Sequence, residues 1–184
     1  MKKALLGLGI IAALTPVMAS AEGGYLGASY GRTEVQLTGA EKAAFNDLGF
    51  SEIDEVDQGF KVFGGYRFHR NFALEGFYAD LGDAEFSNGA VTIKSATDGY
   101  GLSAVGLLPV TEQIDLFAKV GMFHWSVDAT SNVNISAGDD GTDGTYGIGA
   151  AYNMKTVSLR AEFERFDIGG DDVDMISAGV QVNF

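Results

Sequence analysis

The end of the chain alternates without a break. Ile176, Ala178, Val180, Val182 and Phe184 take one set of alternate positions, and Ser177, Gly179, Gln181 and Asn183 take the other. A period of two is the mark of a strand with one face buried or in contact with apolar material. The same pattern recurs along most of the chain, in segments of about ten residues.

The first segment, about Gly24 to Glu34, puts Leu26, Ala28 and Tyr30 on one side. The second, about Asp57 to His69, sets Phe60, Val62, Tyr66 and Phe68 against Lys61 and Arg67. The third, about Asn71 to Leu81, opposes Phe72, Leu74 and Tyr78 to Ala73, Glu75 and Ala79. The fourth, about Asp98 to Pro109, aligns Tyr100, Leu102, Ala104 and Leu108. The fifth, about Ile114 to Val127, sets Ile114, Leu116, Ala118, Val120 and Met122 against Asp115 and Lys119. The sixth, about Gly144 to Asn153, aligns Tyr146, Ile148, Ala150 and Tyr152. The seventh, about Thr156 to Phe166, opposes Val157, Leu159, Ala161 and Phe163 to Ser158, Arg160, Glu162 and Glu164. The terminal strand is the eighth.

Connections alternate in length. Short ones fall near Arg70, Thr111 and Met154, and long ones over Val35–Val56, Gly82–Thr97, Asp128–Asp143 and Asp167–Asp174. Short turns on one rim and long loops on the other are the pattern of an eight-stranded antiparallel up-and-down transmembrane β-barrel, with the short turns periplasmic. Alternation alone does not say which face is wet. A soluble barrel of the lipocalin kind turns its apolar face inward, and a membrane barrel turns it outward. The apolar faces here are nearly free of charge. The opposite faces carry glycines and ions of both signs, a poor lining for an apolar cavity, and aromatics gather near strand ends as interface girdles do. The membrane orientation is therefore expected.

The N-terminus agrees. Lys2 and Lys3, the apolar run Leu5 to Leu14 and Ala19-Ser20-Ala21 read as a secretory signal peptide over residues 1–21, cut before Glu22. The apolar run is too short for a spanning helix, which needs about 20 residues. Residues 22–184 then form one outer-membrane barrel domain. Cysteine is absent, which excludes disulfide and thiol chemistry. The net charge of −13 argues against nucleic acid, whose phosphates require a basic face. Much of the acid lies in the long connections: Glu41, Asp47, Glu52, Asp54 and Glu55 in the first, Asp139, Asp140 and Asp143 in the third, Asp171 and Asp172 in the fourth.

Residues 63–82 (FGGYRFHRNFALEGFYADLG) resemble the second and third strands of the OmpA-type transmembrane barrel family. Gly24-Tyr25-Leu26-Gly27-Ala28 resembles its first strand. Leu108-Pro109-Val110 with Asp115-Leu116-Phe117-Ala118-Lys119-Val120-Gly121 resembles its fourth turn and fifth strand, and Arg160-Ala161-Glu162-Phe163-Glu164 its seventh. The resemblance implies a Gram-negative outer-membrane location and a monomer among outer-membrane lipid and lipopolysaccharide. It also implies recognition of the C-terminal strand, Ile176, Ala178, Val180, Val182 and Phe184, by the barrel-assembly machinery. Many members carry a peptidoglycan-binding domain after the barrel. With Phe184 as its last residue, this chain resembles the barrel-only members, and anchoring to the cell wall is not expected.

Eight strands enclose an interior just wide enough for side chains. Parity sends Lys61, Arg67, Glu75, Lys119, Arg160, Glu162 and Glu164 inward. Glu75 and Arg160 each lie about four residues from a short turn on facing strands, which brings them to similar height across the lumen. An ionic plug built from Glu75, Arg160, Lys119, Glu162 and Arg67 is expected. In the OmpA-type family a matching acid–arginine pair belongs to a proposed gate. Its alternative partners fall at Val105 and Ala151, which are apolar, so the resemblance implies a static plug. Independent contacts of these charges with lumen water are the alternative.

No catalytic, cofactor or metal site is expected. His69 and His124 have no partner at metal spacing. His124-Trp125-Ser126 resembles the lipid-facing His-x-Ser pair of eight-stranded lipid A deacylases, with Asp139 or Asp140 as a downstream acid. That family's next residue is Asn, and here it is Val127. Asp139-Asp140-Gly141-Thr142-Asp143-Gly144 resembles a calcium loop but lacks its acid at the third position, and the twelfth position is Ala150. A flexible acidic loop is expected there, with weak divalent-cation bridging to lipopolysaccharide phosphates as the alternative. The functional classes that remain are a structural or surface-interaction protein and a narrow conductor of small solutes, with the deacylase behind them.

Overall fold

The computed structural model describes residues 23–36, 52–54, 56–87, 92–131 and 136–184. The signal-peptide expectation, and most of the first long connection, lie outside the described residues. Nine strands appear among those described: β1 (Gly24–Gln36), β2 (Glu52–Asp54), β3 (Val56–His69), β4 (Phe72–Ser87), β5 (Thr92–Pro109), β6 (Ile114–Ser131), β7 (Ser136–Met154), β8 (Val157–Ile168) and β9 (Asp171–Asn183). All but β2 are barrel staves. Each stave pairs antiparallel with its sequence neighbour, β2 lies on the far end of β4, and β9 returns to β1. The result is the closed eight-stranded antiparallel barrel that the alternation predicts.

Closure follows from the chain's own ends. β1 and β9 pair from Tyr25↔Asn183 to Gln36↔Asp172, and the Phe184 amide donates to the Gly24 carbonyl at 2.9 Å. No sheet edge is left along the staves between the girdles, which is the condition for crossing lipid with strands. The terminal-strand residues Ile176, Val180 and Val182 are outward and exposed, and Ala178 shares their face.

The two faces separate by parity. Tyr100, Leu102, Val120, Met122, Ile148 and Leu159 all face outward and are exposed. Ile148, in mid-barrel, is 63% exposed and lies in one cross-strand row with Ala118, Phe163 and Ile176. Large exposed apolar side chains in this number are incompatible with a soluble surface and suit lipid contact.

Inside, bulky rings and bare backbone alternate. A Cβ added at Gly101 on β5 would sit 2.4 Å from the Phe77 ring and 2.5 Å from the Met122 carbonyl oxygen. The ring of β4 therefore occupies the space that a side chain on β5 would need. Gly101→Val is expected to destabilise the barrel by about 1–3 kcal/mol through overpacking, read as a lower unfolding midpoint in urea.

The staves outgrow the expected segments. β4 to β7 continue past the apolar alternation into the second and third long connections, reaching Ser87, Thr92, Ser131 and Ser136. The fourth expected loop, Asp167–Asp174, is instead a tight hairpin. Gly169 (φ +63°) and Gly170 (φ +100°) make a two-residue turn between β8 and β9. Both left-handed positions are filled by residues without a Cβ, as hairpin turns of this twist require. Above the lipid a strand no longer needs an apolar face, so backbone pairing continues where the hydrophobic signal stops.

Candidate functional site: a neutral ion cluster across the lumen

Six charged side chains meet in mid-lumen: Lys61 from β3, Glu75 from β4, Lys119 from β6, and Arg160, Glu162 and Glu164 from β8. β8 supplies three because its inward positions recur every second residue. Arg160 grips Glu75 with both terminal nitrogens, Nη1 to Oε2 at 2.7 Å and Nη2 to Oε1 at 3.2 Å. Its Nε reaches Glu162 Oε2 at 3.1 Å. Lys61 pairs with Glu162 at 2.7 Å and also with Glu164. Lys119 pairs with Glu162, with Glu164 at 2.7 Å, and lies 3.6 Å from Glu75.

Three cations face three carboxylates, so the cluster carries no net charge. Lys61 and Glu75 are fully buried. The remaining acceptor capacity is filled from neighbouring staves. The Tyr25 hydroxyl donates to Glu75 Oε2 at 3.0 Å, and the Thr145 hydroxyl donates to Glu164 Oε1 at 3.1 Å. Buried charges are tolerated only when paired and hydrogen-bonded in this way.

Aromatic rings bracket the cluster. The Arg160 guanidinium lies 4.5 Å from the Phe63 ring centroid and 4.3 Å from that of Phe117. The Lys119 and Lys61 ammonium groups lie 5.3 Å and 5.8 Å from the Phe77 ring centroid. On the side away from the short turns, Phe77, Phe123 and Phe166 stack over the ions, with ring centroids 4.9–6.2 Å apart. Trp125 and Met175 are buried in the same apolar cluster. The Trp125 indole N–H donates to Asp143 Oδ2 at 2.8 Å, and the Gly169 amide donates to the same oxygen at 3.0 Å. Asp143 thus ties the β8–β9 turn to β6 and β7. Toward the short turns the lumen widens into a cavity of about 440 Å³ lined by Tyr25, Arg67, Val105, Asp115, Phe117 and Ala151, among others.

The sequence-based site residues are placed as follows. Glu75, Arg160, Lys119 and Glu162 are in the cluster. Arg67 is not. It sits at the short-turn rim, 3.0 Å from Asp115 Oδ2, and also donates to the Arg70 carbonyl. Parity turns it inward, but it stands only a few residues from the β3–β4 turn, far below Lys61. Lys61 and Glu164 take the places that an expected plug with Arg67 left open. Val105 and Ala151 are buried in the cavity wall and offer no charge for an exchange of partners. Tyr25 and Thr145 were not singled out. Nor were the inward rings of Phe63, Phe77, Phe117, Phe123 and Phe166, although each shares parity with a charged or polar inward residue on its own strand.

The other candidate motifs lie outside the lumen cluster, and His124, Ser126 and Asp140 share one outward face of β6 and β7. His124 Nδ1 lies 2.8 Å from the Thr142 hydroxyl and its ring packs on Tyr100, while Ser126 stands opposite Asp140. Asp139–Gly144 is no loop: it is part of β7, paired in continuous register with β6, and an extended strand cannot wrap its carboxylates around an ion. Among the described residues no group of His, Cys, Asp and Glu side chains is arranged to hold a metal ion.

The chain resembles known outer-membrane proteins. It is 23% identical over 169 residues to outer membrane protein A of Klebsiella aerogenes, covering 87% of this chain and 48% of that protein. It spans about half the length of the curated relatives it matches. Among solved structures it is similar to the attachment invasion locus protein Ail of Yersinia pestis in complex with the heparin analogue sucrose octasulfate (TM-score 0.64, 18% identity, 89% of this chain and 99% of that one). It is also similar to Neisserial surface protein A (TM-score 0.61, 16% identity, 89% and 98%). These structures share the fold. The family model described as the outer membrane protein beta-barrel domain matches residues 4–184, so this Gram-negative outer-membrane barrel belongs to that family.

Proposed function

We propose that the protein is a sealed, non-catalytic barrel with a structural or surface-interaction role. The supporting observation is the neutral cluster of Lys61, Glu75, Lys119, Arg160, Glu162 and Glu164, closed on one side by the Phe77, Phe123 and Phe166 layer. A solute crossing the lumen has to break several buried ion pairs at once and move three rings. What remains for function is the outward surface: the lipid belt, in contact with outer-membrane lipid and lipopolysaccharide, and the acidic strand ends beyond it. The strand β9 that closes the barrel is the segment the assembly machinery would engage. The reading predicts silence in planar bilayers at neutral pH. The same preparation should show the heat-dependent gel shift of a folded barrel, so that silence is not mistaken for misfolding. Steady unitary conductance from heat-shiftable protein would replace this reading with that of a narrow conductor.

A further inference from the structure

Residues 138–144 of β7 form a sheet edge. On one side they pair with β6 in unbroken register, from Met122↔Gly144 to Asp128↔Gly138. On the other side β8 pairing ends at Thr145↔Phe166, because the Gly169–Gly170 turn sends the chain back into β9. Among the described residues no strand pairs with this stretch. The direction of its free groups follows from register. The Asn153 amide donates to the β6 side, to the Gln113 carbonyl, and the ladder has no bulge between Asn153 and Gly138. Backbone direction alternates with side-chain parity, so the even residues Gly138, Asp140, Thr142 and Gly144 turn their N–H and C=O groups to the open edge. The Asp140 amide is met there by its neighbour's carboxylate, Asp139 Oδ1 at 3.0 Å, and by no strand.

Natural edges are usually blunted by bulges, proline, charged side chains or a covering segment, and here the charges are aspartates, which deter acidic strands but not a basic one. This stretch has no proline, no lysine and no bulge. Gly138 and Gly144, both turned to the open edge, leave the backbone open to close approach, with nothing within 4 Å of a Cβ at Gly144. Asp128, Asp139, Asp140 and Asp167 stand exposed around it. The nearby cation Arg165 is already held by Asp172 at 2.9 Å and Asp174 at 2.6 Å.

We infer that this edge accepts an extended, basic polypeptide segment of a partner protein as an added strand. Backbone hydrogen bonds would supply the attachment and the aspartates the preference for charge. A second copy of this chain is disfavoured, since antiparallel pairing of two such edges sets aspartate against aspartate. Lipopolysaccharide phosphates are repelled by the same charge. The inference deepens the surface-interaction reading and rests on it. Its test is a binding measurement, independent of the conductance that decides whether the lumen is sealed.

The probe is a synthetic strand-length peptide alternating lysine with threonine, titrated calorimetrically into the full chain in lipid nanodiscs. Three controls accompany it: the glutamate-for-lysine analogue, and the lysine peptide with alternate backbone nitrogens methylated, and excess salt. The plain lysine peptide should bind, weakening as salt rises. N-methylation, which keeps the charge and removes the donors, should weaken binding at least about tenfold. Thr142→Pro, which deletes an edge-facing N–H and leaves the β6 ladder intact, should do the same. Asp139→Asn with Asp140→Asn should weaken binding and flatten its salt dependence, and serves if the proline variant loses its heat-dependent gel shift. Equal binding of the methylated peptide reduces the effect to charge attraction and overturns the inference. So does binding of the glutamate analogue, or no binding at all.

Discussion

Glu75→Gln should lower barrel stability by about 3–5 kcal/mol, the cost of leaving a buried charge without its partner. The substitution keeps the shape and removes the carboxylate that takes both Arg160 terminal nitrogens at 2.7 and 3.2 Å and the Tyr25 hydroxyl at 3.0 Å. Three cations then face two carboxylates, in a site where Glu75 has no contact with solvent. The measurement is urea unfolding from lipid vesicles, followed by the fluorescence of Trp125, the single tryptophan. Charge balance gives the sharper form of the test. Adding Lys119→Met to Glu75→Gln restores neutrality, with Lys61 and Arg160 facing Glu162 and Glu164. The double variant should be less destabilised than the sum of the two single ones. Additive losses, or an unchanged midpoint in Glu75→Gln, would mean that these charges are solvated one by one.

Ile148→Arg is the second large effect, a loss of about 2–4 kcal/mol for a cation on the lipid face near the bilayer midplane. Ile148 is 63% exposed and flanked in register by Ala118 and Phe163. No acid in its row is available to pair with the new charge. Arginine at Tyr146, one outward position nearer the outer rim, should cost only about 0–1 kcal/mol. The gradient between the two positions is the diagnostic, because a merely structural disturbance has no reason to follow depth. Equal costs at both sites would argue that this face does not touch hydrocarbon.

Much of this architecture was legible in the chain. The period-two segments located all eight staves and assigned the outward face of each, because lipid on one side and a polar lumen on the other impose the sharpest contrast a strand can carry. The Glu75–Arg160 contact was legible for the same reason: both stand at similar distance from a short turn on facing staves. Arg67 shows where that reasoning thins. Parity states which way a side chain turns and says nothing of its height, and only the count from the β3–β4 turn separates Arg67, which meets Asp115 at the rim, from Lys61, which enters the cluster. The strand ends were the least legible. Asp139–Gly144 reads as a loop because it is acidic and glycine-rich, yet it continues β7 in full register. Pairing in water is stabilised by a neighbouring strand, whatever the polarity of the side chains.

By itself the sequence determined the strand count, the closed antiparallel class and the sorting of residues to lipid or lumen. Those properties depend on neighbours one, two and three positions away along one strand, and periodicity records them. Only the tertiary structure decided which inward charges join Glu75 and Arg160 and that they balance three against three. It also placed the aromatic layer over them and, among the described residues, left one stretch of β7 unpaired on its β8 side. Those outcomes depend on strand stagger around a closed cylinder, where residues about a hundred positions apart, such as Lys61 and Glu162, come within 2.7 Å. A linear pattern contains no information about that stagger until the two ends of the sheet have joined.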